Sequence, residues 1–191
     1  MDTDRKRKAM LHRITTETEL PVTLREVKQH LRVEFRDDDF LIFSYMRAAF
    51  ERLDGPDGYL GRCLRPQVWQ LDLGSLDGEI TLPLPPCQAV SSITYIDTTG
   101  ASQTLPPDSY RVSGIGGTAR IAPVASWPST NSASITFTAG YTRTPEPIIA
   151  AIMLRVAHLY EHRESVVIGE TATGLPLGED DLIRNYRTWS F

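Results

Sequence analysis

The chain has 191 residues, of which 41% are hydrophobic and 23% charged, the proportions of a folded globular protein with a single core. A formal net charge of −4 excludes a protein whose whole surface grips nucleic acid, and no run approaches the roughly 20 apolar residues that cross a bilayer. The basic start runs directly into polar residues without the apolar core of a secretory signal, so assembly in the cytoplasm is expected.

Residues 1–20 read as an arm. Arg5, Lys6, Arg7 and Lys8 are the only basic block. They either touch phosphates or an acidic partner, or form a solvated terminus. The fold is expected to begin at Pro21. Thr23 and Glu26 have capping-box spacing, which predicts a helix over 23–32 with Leu24, Val27 and Leu31 on one face. Asp37, Asp38 and Asp39 supply negative charge at the start of a second helix, 38–53, ended by Gly55 and Pro56. Phe40, Leu41, Ile42, Phe43, Tyr45, Met46, Ala48, Ala49 and Phe50 leave this helix few positions for water. It must therefore be covered on several sides, either within its own monomer or partly by a neighbouring subunit.

Over 66–138 the apolar period changes to two. Val68–Leu73 and Ile80–Leu82 flank Asp77-Gly78, which predicts a tight hairpin. Short strands follow at Val90–Ile96, Gln103–Leu105, Tyr110–Val112, Arg120–Ala122 and Ser134–Thr138, giving a small antiparallel sheet or a barrel-like sandwich. Pro145 and Pro147 prepare a third helix, 147–164, with Ile149, Ile152, Met153, Val156, Leu159 and Tyr160 as its core stripe. A Gly-containing stretch without period leads to a short helical piece at Glu179–Tyr186, then Trp189 and Phe191. The aromatic end either folds back on its own sheet or inserts into a partner. The expected class is α+β, with two N-terminal helices, a long C-terminal helix and an inserted antiparallel β region.

Few residues suggest chemistry. Cys63 and Cys87 form no close-spaced pair and read as buried thiols. His158-Leu159-Tyr160-Glu161-His162 matches the H-x-x-E-H pattern, in which two imidazoles four apart bind Zn²⁺ and the Glu polarises a water. Such a site needs a third ligand, and the remaining chain offers Glu164, Glu170, Glu179, Asp180 and Asp181 in mostly irregular stretches. Helix histidines that are packed or solvated are the simpler reading. Gly114-Ile115-Gly116-Gly117 lies between strands and reads as a turn, and the Asp37–Asp39 run as helix capping. No catalytic residue, metal or cofactor is assigned. The alternatives are a zinc hydrolase using His158, Glu161 and His162, and a DNA-binding module using the basic arm.

The ordered layout resembles the phage head-tail connector, or adaptor, family. The resemblance rests on Pro21–Val33, the acidic start of the apolar second helix, Leu82-Pro83-Leu84-Pro85-Pro86-Cys87-Gln88-Ala89-Val90 before Ile93–Asp97, and Ile135–Tyr141. Pro147-Ile148 opening a helix through Val156–Glu164, and Leu175–Gly178 before Leu182 and Tyr186-Arg187, extend it. It implies an adaptor domain over 21–164 and a C-terminal tail over 165–191. It also implies a structural subunit of a virion neck, in a ring, usually twelvefold, beneath the portal. A stopper or tail-completion protein would lie on the other side, and double-stranded DNA would pass through the lumen without sequence-specific contact. By resemblance, portal docking goes to Leu182, Ile183, Tyr186, Arg187, Trp189 and Phe191, and ring contacts to Phe40, Phe43, Met46, Arg47 and Phe50. The 20-residue arm lies outside the family's usual pattern, and His162 stands where relatives commonly carry another polar residue.

Overall fold

The first helix, α1 (Leu24–Leu31), starts where the capping box predicts. The Thr23 amide donates to Glu26 Oε2 at 2.7 Å and the Glu26 amide to Thr23 Oγ1 at 3.3 Å, so each satisfies a donor that the first turn leaves unpaired. Hydrogen bonds from Thr23, the hydroxyl foremost, hold the Glu26 carboxyl below its ordinary pKa. Arg32 closes the helix in the left-handed region, φ 57°. This structure, a computed structural model, describes residues 9–16, 18–162 and 177–188. The other helices are α2 (Asp39–Glu51), α3 (Glu146–Glu161) and α4 (Leu177–Ile183), the last continued by a 3-10 turn over Arg184–Tyr186. With antiparallel sheets between α2 and α3, the class is α+β.

The chain divides into two units rather than the single domain expected. The helical unit combines residues 19–65 with 142–191, and the sheet unit combines 1–18 with 66–141. Helix α2 turns Ile42, Met46, Ala49 and Phe50 into the core of the helical unit, where α3 contributes Ile148, Ala151, Ile152 and Val156. Thr144 Oγ1 donates to the Leu64 carbonyl at 2.7 Å, and Arg65 Nη1 to the Thr142 carbonyl at 3.1 Å, joining the two stretches of chain that build this unit.

The sheet unit holds eight strands among the described residues: β1 (Met10–Arg13), β2 (Gln67–Leu73), β3 (Ile80–Thr81), β4 (Cys87–Asp97), β5 (Ser102–Thr104), β6 (Tyr110–Ser113), β7 (Arg120–Pro123) and β8 (Thr130–Ala139). They form a five-stranded sheet in the order β1-β2-β8-β4-β5 and a three-stranded sheet in the order β3-β7-β6. The period of two is clearest in β8, where Ala133, Ile135, Phe137 and Ala139 are buried and the residues between them are not.

Two expectations are corrected. The fold does not wait for Pro21, because Met10–Arg13 pairs along β2 with Met10 opposite Asp72 and Arg13 opposite Trp69. Four residues alternating around polar positions carry too weak a pattern to read as a strand alone, but an edge strand needs only one neighbour. Nor do β2 and β3 form a hairpin about Asp77-Gly78: β2 pairs with β1 and β8, and β3 with β7. Gly78 does take a positive φ of 53°, and its carbonyl accepts from Trp127 Nε1 at 2.8 Å, so the glycine serves a change of sheet. The glycine-rich stretch at 114–117 is the expected turn between β6 and β7. A Cβ on Gly114 would sit 2.3 Å from the Thr118 carbonyl oxygen.

The β4–β5 turn is organised by Asp97. Its Oδ1 accepts from the Thr99 hydroxyl at 2.6 Å, the Thr99 amide at 2.8 Å and the Ala101 amide at 2.9 Å. These bonds, the Thr99 hydroxyl first, lower its carboxyl from 3.8 to about 2. A depressed folded value means that the turn gains from this group at neutral pH and loses the gain as pH falls towards about 2. A carboxyl-carbon NMR titration should therefore show Asp97 with a midpoint near 2, and a midpoint at its ordinary 3.8 would contradict the turn described.

Candidate functional site

Four of the nine apolar positions of α2, Ile42, Met46, Ala49 and Phe50, are buried in the unit's own core. Met46 and Phe50, two of the residues expected at a ring contact, are buried there and offer no surface. The first and middle turns differ: Phe40 is 84% exposed and Phe43 43%. Arg47 is exposed beyond them and pairs with Glu51 at 3.0 Å, an i,i+4 contact in solvent worth only about 0.3–0.5 kcal/mol. Phe40, Phe43 and Arg47 therefore make one outward strip with two aromatic rings. Covering a ring as open as Phe40 would stabilise an interface by about 2 kcal/mol. The acidic residues at the helix start serve structure: Asp39 pairs with Lys28 Nζ, and Asp38 accepts from the Tyr160 hydroxyl.

The C-terminal segment is anchored, and on helices rather than on the sheet. Ile183 is fully buried, so as placed it is a core residue rather than a docking residue. Glu179, only 2% exposed, takes a two-point contact from Arg155 of α3, Nε to Oε1 at 2.9 Å and Nη2 to Oε2 at 3.0 Å. The Tyr59 hydroxyl donates to Asp180, and this bond, with burial, raises the tyrosine's pKa. The Arg187 guanidinium lies 4.8 Å from the Tyr59 ring centre, and the Thr188 amide donates to the Leu60 carbonyl at 2.9 Å. Arg187 is exposed, and Leu182 and Tyr186 are half-buried. Trp189, Phe191 and the basic block Arg5, Lys6, Arg7 and Lys8 lie outside the described residues. A short helix near the C-terminus is expected from the sequence, but Tyr59 and Leu60, which receive the segment, are not, because no periodic pattern marks a loop as a docking seat.

The chemistry expected of an enzyme is not assembled here. His158 and His162 stack on each other, ring centres 4.6 Å apart, at the end of α3. The described acids that might complete a zinc site are engaged elsewhere: Glu179 with Arg155, Asp180 with Tyr59 and Asp181 with Arg184. Glu164 and Glu170 lie outside the described residues. Among the described residues no three His, Cys, Asp or Glu side chains converge as metal ligands. A groove of about 320 Å³ runs beside the starts of α1 and α3, floored by Val22, Ile149 and Met153. Its charged groups are already partnered, Glu26 by Thr23, Arg65 by Glu19 and Arg143 by Glu146.

Residues 21–104, from the approach to α1 through β5, match the family of phage gp6-like head-tail connector proteins. That match covers less than half of the chain, and the family it describes is one of structural proteins. No curated protein matches the chain. Among solved structures, it is 24% identical to a chain in the neck of an empty GTA particle computed with C6 symmetry, with a TM-score of 0.75, covering 95% of this chain and 97% of that one. It is 23% identical to a chain in the virion of a native gene transfer agent particle, at the same TM-score and coverage. To a chain in the neck of a native GTA particle computed with C12 symmetry it is 25% identical, with a TM-score of 0.71 and again 95% and 97% coverage. The likeness spans nearly the whole chain, well beyond the family match.

The C-terminal segment depends on the Arg155–Glu179 pair. Replacing Arg155 by Met strands a buried carboxylate, and the variant should lose roughly 3 kcal/mol in urea unfolding. A loss under about 0.5 kcal/mol, the range of an exposed pair, would show that the segment is held without it.

Proposed function

We propose that the chain is one subunit of a ring in a virion neck, joining a DNA-filled head to the tail and leaving a passage for the genome. The observation that carries this reading is the fold likeness to neck chains over nearly the whole length, together with the connector family match. Particles computed with C6 and C12 symmetry have cyclic necks, and a twelvefold ring is the form proposed for this chain. A ring requires heterologous contacts, in which one face of a subunit meets a different face of the next. The exposed strip of Phe40, Phe43 and Arg47 is proposed as one of those faces.

Portal docking is proposed for the outward residues of the C-terminal segment, Leu182, Tyr186 and Arg187, with Trp189 and Phe191 beyond them. Ile183 serves by holding the segment in place. A stopper or tail-completion protein is proposed on the opposite side, and assembly in the host cytoplasm. The net charge of −4 suits a passage, since a strongly basic lumen would retain DNA by counterion release. For the basic block Arg5–Lys8, a contact with DNA or an acidic partner is proposed.

Electron microscopy of the purified chain, alone and mixed with portal, tests the reading. Rings, alone or on the portal, are expected, and monomers under both conditions would overturn it. Removing residues 189–191 leaves the Thr188–Leu60 anchor in place, so the shortened chain should melt as the full one does yet fail to join portal-bearing heads. Full particles maturing with the shortened chain would refute the docking assignment.

A further inference from the structure

The helical unit fixes the direction in which two copies can meet. Its helices α2 and α3 run antiparallel. The Tyr160 hydroxyl, at the end of α3, donates to Asp38 at the start of α2, and Thr144, just before α3, donates to the Leu64 carbonyl in the stretch that follows α2. Neighbours in a twelvefold ring differ by a rotation of about 30°, which turns no direction by more than that. The α2 of one copy therefore meets the α3 of the next antiparallel, to within about 30°.

On α3 the exposed large apolar side chain is Leu154, 44% open. It shares a helix face with half-buried Ala150 and exposed Glu146, at i, i−4 and i−8. This strip is about 12 Å long and that of Phe40, Phe43 and Arg47 about 10.5 Å, at 1.5 Å per residue. Laid antiparallel with Phe40 beside Leu154, Phe43 falls beside Ala150, whose small side chain leaves room for the ring, and Arg47 beside Glu146. The next exposed residue of α2, Glu51, then faces Arg143, which precedes α3. Within one copy these four charges pair in solvent, Arg47 with Glu51 at 3.0 Å and Arg143 with Glu146 at 2.9 Å. Exchanging partners across the contact leaves every charge paired. Two α2 strips laid antiparallel would instead set Arg47 against Phe40, so the strip does not complement itself, as a contact that must propagate around a ring requires.

We propose that the Glu146–Ala150–Leu154 strip on α3 of one copy is the seat for the Phe40–Phe43–Arg47 strip on α2 of the next, with the two helices antiparallel, an inference that rests on the ring reading and adds the partner face, the direction and the register. Phe40 covers Leu154, Phe43 lies over Ala150, and the four charges close the end of the contact.

Disulfide trapping tests it, since the native Cys63 and Cys87 are buried and do not compete. Under mild oxidation the double variant F43C/A150C should give a ladder of linked multimers, and F43C mixed with A150C should stop at dimers. F40C/E146C, a pair that only parallel helices would bring together, should stay unlinked, and its efficient linking would overturn the proposed direction. Efficient dimers from F43C alone would overturn the contact itself, because the α2 strip would then meet its own copy. Rings seen by microscopy without F43C/A150C links would overturn it while leaving the ring reading intact; the absence of rings, alone and on portal, would overturn both. R47E and E146R should each raise the concentration needed for assembly by roughly tenfold, as expected for loss of about 1.4 kcal/mol. R47E/E146R should recover most of that loss, which local damage to either helix would not do, and a double variant no better than the single ones would overturn the register.

Discussion

The helical unit can be built from two distant stretches of chain because β2 and β8 are antiparallel neighbours. The chain leaves that unit after Arg65 and returns at Thr142, and between them Gln67 is paired with Ala139 and Leu73 with Ala133. The first strand of the inserted segment lies beside its last, so the two ends of the insertion are held together. The same junction is fixed from the helical side by Thr144 on the Leu64 carbonyl and Arg65 on the Thr142 carbonyl. Each unit thus closes the loop that the other opens, which removes most of the entropy cost of a discontinuous core.

A second closure sets the position of the chain's end. Burial of Ile183 supplies apolar contact, but burial alone does not choose a register for a seven-residue helix. Polar contacts at several points do: Glu179 to Arg155, Asp180 to Tyr59 and the Thr188 amide to the Leu60 carbonyl. Because Arg155 and Tyr59 stand on α3 and on the loop after α2, the segment is fastened to the two parts of the unit that the inserted strands separate in sequence. On the neck reading, that gives the portal-facing residues a rigid mounting.

Local patterns predicted local structure well. The Thr23–Glu26 box, the glycine turn at 114–117 and the alternation along β8 each announce their conformation through neighbouring residues, and each is found. What could not be read is partner choice. Ile80-Thr81 looks like the second strand of a hairpin beside Gly78, yet which of several short antiparallel strands it joins depends on how the whole set packs. Met10–Arg13 has no apolar alternation to mark it, since an edge strand takes its order from β2. The over-apolar α2 left two readings open, its own monomer or a neighbouring subunit: Met46 and Phe50 answer to the unit's own core, while Phe40 and Phe43 face outward. Sequence counts the apolar positions on a helix, but not how many sides are covered.

The arrangement of α2 follows from a conflict between those two demands. A helix in a small unit can bury only the arc that its neighbours reach, and Ile42, Met46, Ala49 and Phe50 already fill that arc. Two further phenylalanines add nothing to the stability of the isolated chain, and an open aromatic strip invites nonspecific association. Such a strip is tolerable where a defined face covers it, and a charge at its end restricts which faces qualify.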